Sequence, residues 1–410
     1  MRVACVGAGP AGLYLSILMK LCDPRHDVTV YERRTSRSAS GWGVTFGPVL
    51  LAEMHKRDSK SAERIRAAAL FWEDQVIHFR GTQVSSPFGI TYNISRWRML
   101  DILSARASDL GVRIEYGREI HSLAELPEFD LVVAADGISS QLRKEAGVFG
   151  TRETLGRNKY IWLGTDMARK AFDFFFVPTP CGWIWAYAYG IDPGTSTFIV
   201  ECTPETWAGL GFGDLSTDEA IPVLEELFSD HLAGHRLLGE YGDGTKARWL
   251  SFRTISNQRW HSGKIVLAGD SAHTAHFTVG MGTTLAFKDV MALADSLQRE
   301  TSLEAALSAY EAQRKAELLP ALTEARFSAR WFEDIARYVG LKPREFATLM
   351  HARRSPIVAA CPPKISYKLL QAASRMSLID VIRARAAAKV IVGRRPLARL
   401  AADRRRETVS

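Results

Sequence analysis

The sequence has no uninterrupted run of about 18 apolar residues, so we expect no transmembrane helix. Its five cysteines are scattered through 410 residues, and none of them forms a CxxC pair. Isolated cysteines suit a reducing cytosol and argue against a disulfide framework or a structural zinc site. Met1 is followed almost directly by the apolar segment RVACVG, which leaves no room for a secretory signal. These absences predict a cytoplasmic globular protein that holds no metal.

Positive charge is concentrated in one short stretch near the C-terminus. Nine Lys and Arg residues and one Asp lie between positions 383 and 406, which accounts for the whole formal net charge of +8. The rest of the chain is close to neutral, so we expect neither a nucleic-acid surface nor a membrane surface there. Two interpretations of this tail stay open. It is a solvated helix face or a frayed terminus, or it docks on an acidic partner such as a phosphorylated substrate, a carrier protein or a membrane surface.

The N-terminal segment RVACVGAGPAGLYLSILMKL combines an apolar strand, a GxGxxG turn and an apolar helix pattern. Gly7 permits the tight turn, Gly9 lets the backbone approach a pyrophosphate, and Gly12 lets the helix pack on the strand. A second strand ends on Glu32, twenty residues after Gly12, where a carboxylate can bind a ribose diol. This order predicts a Rossmann-like dinucleotide-binding domain. The neighbouring residues expected at the cofactor are Pro10, Ala11 and Arg33.

The stretch after Glu32, RRTSRSASGWGVTF, is a long polar excursion with two glycines. An NAD-type domain would usually continue promptly into its next βα unit, whereas a longer insertion can reach an isoalloxazine ring. The insertion therefore favours FAD, with the backbone of Gly43 close to a flat ligand. Trp42 is either a pocket residue or a packed loop anchor.

Two further motifs follow apolar strands. The first motif has the pattern DGxxSxxR and begins with Asp136 and Gly137, within the segment FDLVVAADGISSQLRKEAG. GDSAHTAHFTVGMGTTLAFKD places Asp270 directly after the strand KIVLA, where doubly wound sheets bind dinucleotides. Gly280 and Gly282 would bend the backbone past a flat ring, and a helix is expected to begin near Thr283.

With these motifs in this order, the chain resembles the FAD-dependent aromatic hydroxylases, the single-component flavoprotein monooxygenases. The resemblance implies that Asp270 binds the ribose or pyrophosphate region of FAD, and that Arg96 touches the FAD phosphates. It also implies that Asp136 and Gly137 serve both FAD and NAD(P)H. The implied chemistry is reduction of FAD by NADH or NADPH, formation of a flavin C4a-hydroperoxide with O2, and oxygen transfer to an electron-rich aromatic ring.

This chain departs from the usual family pattern beside the flavin. Relatives commonly carry proline, glutamine and asparagine where this sequence has Phe277, Met281 and Thr284. Phe277 and Met281 are therefore candidate pocket residues. His273 belongs to the common GDxxH pattern and is interpreted as structural, whereas His276 is either a pocket residue or a packed side chain.

The strings GRNKYIWLGT, STFIVECTPETW and AHTAHFTVG are similar to a narrower subgroup. That subgroup contains salicylyl-CoA 5-hydroxylases, anthraniloyl-CoA monooxygenases and the tryptophan hydroxylase of violacein biosynthesis. The resemblance favours an aryl-CoA thioester such as salicylyl-CoA, hydroxylated at position 5. A free aromatic acid or an indole-type substrate stays open, as do a flavin-dependent halogenase, a reductase that does not hydroxylate, and a redox-dependent binder.

The middle of the chain is strand-rich, with four apolar and aromatic segments between residues 159 and 202. Trp183, Trp185, Tyr187 and Tyr189 alternate by two and should share one face of a sheet. That face is either core or an aromatic pocket wall, with Trp185 and Tyr187 as pocket candidates. The predicted fold is α/β, with a Rossmann-like FAD domain (1–155 and 255–330), an interleaved substrate sheet (156–254) and C-terminal helices with a basic tail (331–410).

Overall fold

Two β-sheets organise the residues that the computed structural model describes, which are 1–35 and 41–374. In chain order the strands are β1 (Arg2–Val6), β2 (Asp27–Glu32), β3 (Gly43–Phe46), β4 (Leu70–Phe79), β5 (Thr82–Ser95), β6 (Arg113–Tyr116), β7 (Leu131–Ala134), β8 (Arg152–Thr165), β9 (Phe172–Thr179), β10 (Gly182–Asp192), β11 (Thr195–Cys202), β12 (Leu237–Leu238), β13 (Leu250–Ser256), β14 (His261–Ser262) and β15 (Ile265–Leu267). The helices are α1 (Pro10–Cys22), α2 (Pro48–Arg57), α3 (Ser59–Ala68), α4 (Arg96–Asp109), α5 (Gln141–Ala146), α6 (Pro204–Gly209), α7 (Thr217–Leu227), α8 (Ser229–Leu232), α9 (Gly282–Arg299), α10 (Leu303–Glu333), α11 (Pro343–His351) and α12 (Pro356–Ala360).

The first sheet has six strands in the order β14-β15-β7-β1-β2-β6. Its pairings are parallel except for the antiparallel pair β14 and β15. The central strand β1 is buried on both faces, with Val3, Ala4 and Cys5 fully inaccessible, which explains its continuous apolar sequence. Helices α1, α4 and α9 pack around this sheet. The predicted Rossmann-like α/β fold is confirmed.

The second sheet runs β12-β8-β11-β10-β9-β4-β5-β3, and β13 pairs with β8 as well. Its pairings are antiparallel except for β4 with β9. One face forms a hydrophobic core with residues of α7 and α8, including Phe198, Val200 and Leu224. Because side chains alternate along a strand, the residues between these form the opposite, aromatic face.

The four strands predicted between residues 159 and 202 are confirmed as β8 to β11. The predicted extent of the substrate sheet, 156–254, is too narrow, because β3, β4 and β5 also belong to this sheet and come from residues 43–95. The parallel pairing of Gln75 with Phe172 joins the two parts, and no local pattern reveals a pairing across that distance. The predicted limit at residue 330 also falls inside α10.

The described residues divide into two compact units, one ending at Ser355 and the other beginning at Pro356. In the described part of the second unit, the Ser366 hydroxyl donates to the carbonyl oxygens of Ile357 and Cys361. The basic stretch at 383–406 lies outside the described residues. Within residues 1–35 and 41–374, no helix is long and apolar enough to cross a membrane.

Candidate active site

The glycine-rich turn lies between β1 and α1. Gly7 has a φ of +107°, and a Cβ there would lie 2.4 Å from a backbone oxygen that follows β7. A Cβ on Gly12 would lie 2.0 Å from the carbonyl oxygen of Gly7, whereas a Cβ on Gly9 would meet nothing within 4 Å. Helix α1 begins at Pro10 and Ala11 without a side-chain cap, so its first amides are available to an anion.

The acid at the end of β2 braces this turn. Glu32 accepts hydrogen bonds from the Ala8 amide at 2.8 Å and from the Arg34 amide at 3.0 Å. The Arg34 side chain also lies 3.4 Å from the Glu32 carboxylate. Arg33, also predicted at the cofactor, is exposed, and its guanidinium lies 3.8 Å from the Glu119 carboxylate. The positive charge next to the Glu32 carboxylate is therefore that of Arg34, whereas the charge of Arg33 lies near Glu119.

Arg96, the first residue of α4, and Asp270, which follows β15, interact electrostatically. Burial lowers the pKa of Arg96, and Arg34 lowers it further, while Asp270 and Glu32 oppose the shift. Burial raises the pKa of Asp270, and Arg96 opposes this. Asp270 is nevertheless exposed and Arg96 half-buried. Protein atoms surround both groups, yet solvent still reaches them, as in a cleft. The two predicted residues therefore lie in the same cleft.

The DG motif links two loops at the ends of the first sheet. Asp136 Oδ2 accepts a hydrogen bond from the Gln141 amide at 2.8 Å, and Gly137 follows with a φ of +81°. Arg143 donates to the carbonyl oxygen of Ser271 at 2.9 Å, which ties this motif to the GD motif. Burial raises the pKa of Asp136, and its Oδ1 is buried without a hydrogen-bond partner. That oxygen would gain a partner from a ligand donor.

A buried ionic cluster fixes the GD motif to α9. Asp289 accepts from the Gly269 amide at 3.0 Å and from Arg314 Nε at 2.9 Å, and it bonds His273 Nε2 at 2.8 Å. Burial alone would raise the pKa of Asp289, but His273 and Arg314 outweigh it and hold that pKa below its ordinary value. The structural interpretation of His273 agrees with this geometry.

The turn before α9 exposes backbone amides. Gly280 has a φ of +65°, and its carbonyl oxygen accepts a hydrogen bond from the Thr45 hydroxyl at 3.4 Å. Met281 occupies the N-cap without a side-chain hydrogen bond, and α9 begins at Gly282 and Thr283. A Cβ on Gly282 would meet nothing within 4 Å. The first amides of α9 therefore have no side-chain cap, and the start of the helix favours negative charge.

The same turn contacts the aromatic face of the second sheet. The ring of Phe277 lies 4.7 Å from that of Tyr160 and 5.8 Å from that of Tyr187. Phe277 also stacks on His276 at 4.6 Å and approaches Phe252 at 6.1 Å. Phe277 and Tyr160 remain half-buried, so these rings offer apolar surface to a flat ligand.

Behind this surface lies a buried carboxylate. Glu201 accepts hydrogen bonds from the Tyr187 hydroxyl at 2.5 Å, Asn158 Nδ2 at 2.7 Å and Trp185 Nε1 at 3.2 Å. Burial raises the pKa of Glu201 to about 7, although these donors oppose the shift. Trp185 has no exposed surface and Tyr187 almost none. The two predicted pocket residues therefore belong to the core that supports the wall.

Trp42 lies against β8. A Cβ on Gly164 would come within 2.6 Å of the Trp42 ring, so this approach requires a glycine. The ring also meets Tyr241 edge-on at 6.2 Å, and Trp42 Nε1 is buried without a partner. The carbonyl oxygen of Gly43 accepts from the Tyr189 hydroxyl at 3.1 Å, which holds β3 on the second sheet. Trp42 is thus a packed anchor with one unused donor.

These features fit FAD. Open space above Gly9 and two uncapped helix starts suit a pyrophosphate and an anionic ring edge. Asp270 is an accessible acceptor for a ribose hydroxyl, and Asp136 and Trp42 contribute unpartnered polar atoms. Among the described residues, no group of three His, Cys, Asp or Glu side chains could hold a metal ion.

Sequence reasoning missed several residues that build this site. They are Arg34, Glu201, Tyr160, Asp289 and, after α11, Arg353, which donates to the carbonyl oxygen of Thr278 at 3.0 Å. A charged residue in a strand that is otherwise apolar is a signal for Glu201, which interrupts TSTFIVEC. No local pattern marks Arg353, because its partners lie far away in the chain.

Comparison with known proteins agrees with this geometry. The family described as FAD binding domain matches residues 128–322. A salicyloyl-CoA 5-hydroxylase from a Streptomyces species is 34% identical over 368 residues, which cover 87% of this chain and 70% of that protein. A 3-hydroxy-4-methyl-anthranilyl-[aryl-carrier protein] 5-monooxygenase from Streptosporangium sibiricum is 34% identical over 335 residues, covering 81% of this chain and 89% of that protein.

The fold has solved counterparts as well. The tetrameric form of 2-methyl-3-hydroxypyridine-5-carboxylic acid oxygenase superposes with a TM-score of 0.68 at 19% identity. The match covers 88% of this chain and 96% of that one. At this identity the likeness concerns the fold alone.

Proposed function

The chain belongs to the FAD-dependent aromatic hydroxylases, the single-component flavoprotein monooxygenases, and from this premise we propose that its substrate is an aryl thioester. As a member of that family it uses FAD, with NAD(P)H as the co-substrate and O2 as the oxidant. The observation that carries the thioester is that two relatives at 34% identity are named for a salicyloyl-CoA and for an anthranilyl group on a carrier protein. Salicyloyl-CoA, hydroxylated at position 5, is the specific candidate.

One side of the cleft would bind the cofactor, and the other side would bind the substrate. The chemistry that bound FAD would supply is activation of O2 with electrons from NAD(P)H, so that one oxygen atom of O2 enters the aromatic ring and the other leaves as water. Gly9 and the start of α1 would hold the pyrophosphate, while Asp270 would bind the ribose and Arg96 a phosphate. The first amides of α9 would hold negative charge at the edge of the ring system.

The substrate side is aromatic and needs no strong base. Phe277 and Tyr160 would bind the flat ring, and Phe252 beside them would exclude water. A hydroxyl or amino group on the substrate supplies the electron density that the reaction needs. The protein therefore contributes orientation and a dry surface.

The test is NAD(P)H consumption by the purified protein under air, with product assayed by mass. Salicyloyl-CoA and anthraniloyl-CoA would be compared with free salicylate and tryptophan. We expect the thioesters to stimulate consumption with about one oxygen added per nicotinamide oxidised. Stimulation by tryptophan alone, with a hydroxylated product, would replace the thioester by an indole, and NAD(P)H oxidation without an oxygenated product from any of the four would contradict the proposal.

A further inference from the structure

His276 lies at the junction of the two sides of the cleft. It directly precedes the short 3-10 turn Phe277–Val279, and its ring lies 4.5 Å from that of Phe252 and 4.6 Å from that of Phe277. The residue remains half-buried. Its imidazole therefore belongs to the aromatic surface proposed to bind the substrate ring.

One ring nitrogen of His276 is used by the protein. Nδ1 lies 3.1 Å from the Thr278 hydroxyl and accepts a longer hydrogen bond, 3.4 Å, from the Thr278 amide. An amide N–H can only donate, so this contact already requires an unprotonated Nδ1.

A chain of hydrogen bonds that runs in one direction leads to the same conclusion, because it makes the Thr278 hydroxyl donate to Nδ1 of His276. Arg353 Nε donates to the Ser328 hydroxyl at 3.0 Å, and Ser328 in turn donates to the Thr278 hydroxyl at 2.9 Å. A guanidinium has no acceptor, and each hydroxyl has one hydrogen to give. The remaining hydrogen of Thr278 therefore points to Nδ1 of His276. Ser328, Thr278 and Arg353 are all buried, so solvent does not reverse the chain.

The consequence is a fixed tautomer. Burial lowers the pKa of His276 to about 3, so the ring is neutral at physiological pH. A neutral imidazole that accepts at Nδ1 carries its proton at Nε2. Nε2 has no hydrogen-bond partner among the described residues and is not one of the side-chain atoms sealed from solvent.

We propose that the Nε2–H group of His276 binds the carbonyl oxygen of the acyl group on the aromatic substrate. The inference rests on the proposed function and deepens it by naming the atom that distinguishes substrates. A donor in a largely desolvated position loses free energy unless a ligand acceptor replaces water. Because the donor is neutral, it suits a neutral thioester or amide carbonyl. It does not offset the cost of desolvating a free carboxylate.

Two substitutions separate the two nitrogens. In His276→Asn the side-chain oxygen can still accept from Thr278, while the Nε2 donor is lost. In His276→Gln the longer side chain can place an amide N–H near the position of Nε2. His55→Asn, at an exposed histidine on α2, is the control for substitution of a histidine elsewhere.

Binding would be followed by the change in flavin absorbance on titration with salicyloyl-CoA and with salicylamide, which also has a neutral carbonyl. Phenol, which lacks the carbonyl, is the matched probe. We expect His276→Asn to weaken binding of both carbonyl probes about tenfold and to leave phenol within about twofold, as for loss of one hydrogen bond. His276→Gln should stay within about threefold of wild type.

Each alternative outcome rejects a defined statement. Wild-type affinity of His276→Asn for salicyloyl-CoA would overturn the inference, although hydroxylation by the wild-type enzyme would still uphold the proposed function. Equal losses in the Asn and Gln variants would assign the effect to packing of the ring, and loss of FAD in both would assign the donor to the cofactor. If wild-type protein hydroxylates no aryl thioester, the proposed function and this inference fail together.

Discussion

At the scale of single residues, the glycine turn separates groups needed for the fold from groups needed for the cofactor. Gly12 has a backbone oxygen only 2.0 Å from the position of an added Cβ, whereas Gly9 has open space there. The two glycines belong to one motif, but they are constrained by different partners. Gly12 is required by the protein itself, and Gly9 by what binds above it.

This contrast predicts different outcomes for two substitutions. Gly9→Val should leave the circular dichroism spectrum and the melting temperature of the FAD-free protein unchanged, and weaken FAD binding at least about 100-fold, because the side chain occupies the space of the pyrophosphate. Gly12→Ala should lower the melting temperature of the FAD-free protein, because α1 must move off β1. Flavin absorbance after gel filtration and thermal melts measure the two effects. Full retention of FAD by Gly9→Val would contradict the placement of the pyrophosphate.

Glu201 is a buried carboxylate in β11 of the second sheet. It accepts three hydrogen bonds, yet no Lys, Arg or His side chain among the described residues forms a salt bridge with it. Burial raises its pKa from 4.5 to about 7, so the folded protein binds this proton more tightly than the unfolded chain does. The free energy of unfolding should therefore fall as pH rises from about 4.5 to about 7, by about 3 kcal/mol in total.

The neutral variant Glu201→Gln tests this directly. Its amide keeps the shape of the carboxylate, and Asn158, whose Oδ1 has no partner, can rotate to accept from it. We expect the stability of the variant relative to wild type to increase between pH 5 and pH 8, measured by urea unfolding. Glu226→Gln, at an exposed position on α7, is the control. A difference between Glu201→Gln and wild type that does not change with pH would show that Glu201 does not titrate in this range.

At the scale of elements, the position of α9 depends on a buried ion cluster. Asp289, on α9, binds the Gly269 amide of the GD motif and Arg314 of α10, and both charged side chains are almost completely inaccessible. The Asp289 carboxylate, near the middle of α9, therefore links this helix to α10 and to the loop that carries Asp270. Because α9 faces the cleft, this cluster also sets the geometry of the flavin side of the site.

Asp289→Asn should destabilise the protein by about 3 kcal/mol, because it removes the buried carboxylate that pairs with Arg314 and leaves only the half-exposed Glu317 as its partner. The double variant Asp289→Asn with Arg314→Met should lose less, since the buried guanidinium is removed together with its carboxylate partner. Urea unfolding of the single and double variants measures both values. A double variant less stable than Asp289→Asn would mean that Arg314 stabilises α10 independently of Asp289, through its contact with Glu317.

At the scale of the whole molecule, the residues proposed for FAD come from many parts of the chain. They belong to α1, the ends of β2, β7 and β15, and the starts of α4 and α9. Bound FAD would therefore stabilise the folded state as a whole, since the unfolded chain does not assemble this site.

Removal of FAD should lower the melting temperature, and its addition should restore it. At 100 times its dissociation constant, FAD should contribute about 2.7 kcal/mol. Thermal melts of stripped protein over a range of FAD concentrations measure this, and Gly9→Val is the matched control in which the shift should vanish. A melting temperature of wild-type protein that does not depend on FAD would contradict the proposed distribution of contacts.

The sequence by itself determined the parts of this protein that depend on neighbours in the chain. The GxGxxG turn, the acid at the end of β2, the DG and GD motifs and the strands β8 to β11 all follow from spacing and periodicity over short stretches. These patterns report local conformation and burial, and the motifs together identify the family. They were sufficient for the fold class, and they supply the residues that we propose for the flavin side of the site.

Only the tertiary structure decided which distant surfaces meet. It joined β3–β5 to the second sheet, placed Glu201 beneath Tyr187, and connected Arg353 to His276 through Ser328 and Thr278. It also showed Trp185 to be core, a choice that alternation along β10 leaves open. The physical reason is that periodicity shows which face of an element is buried, whereas its partner depends on contacts between residues far apart in the chain.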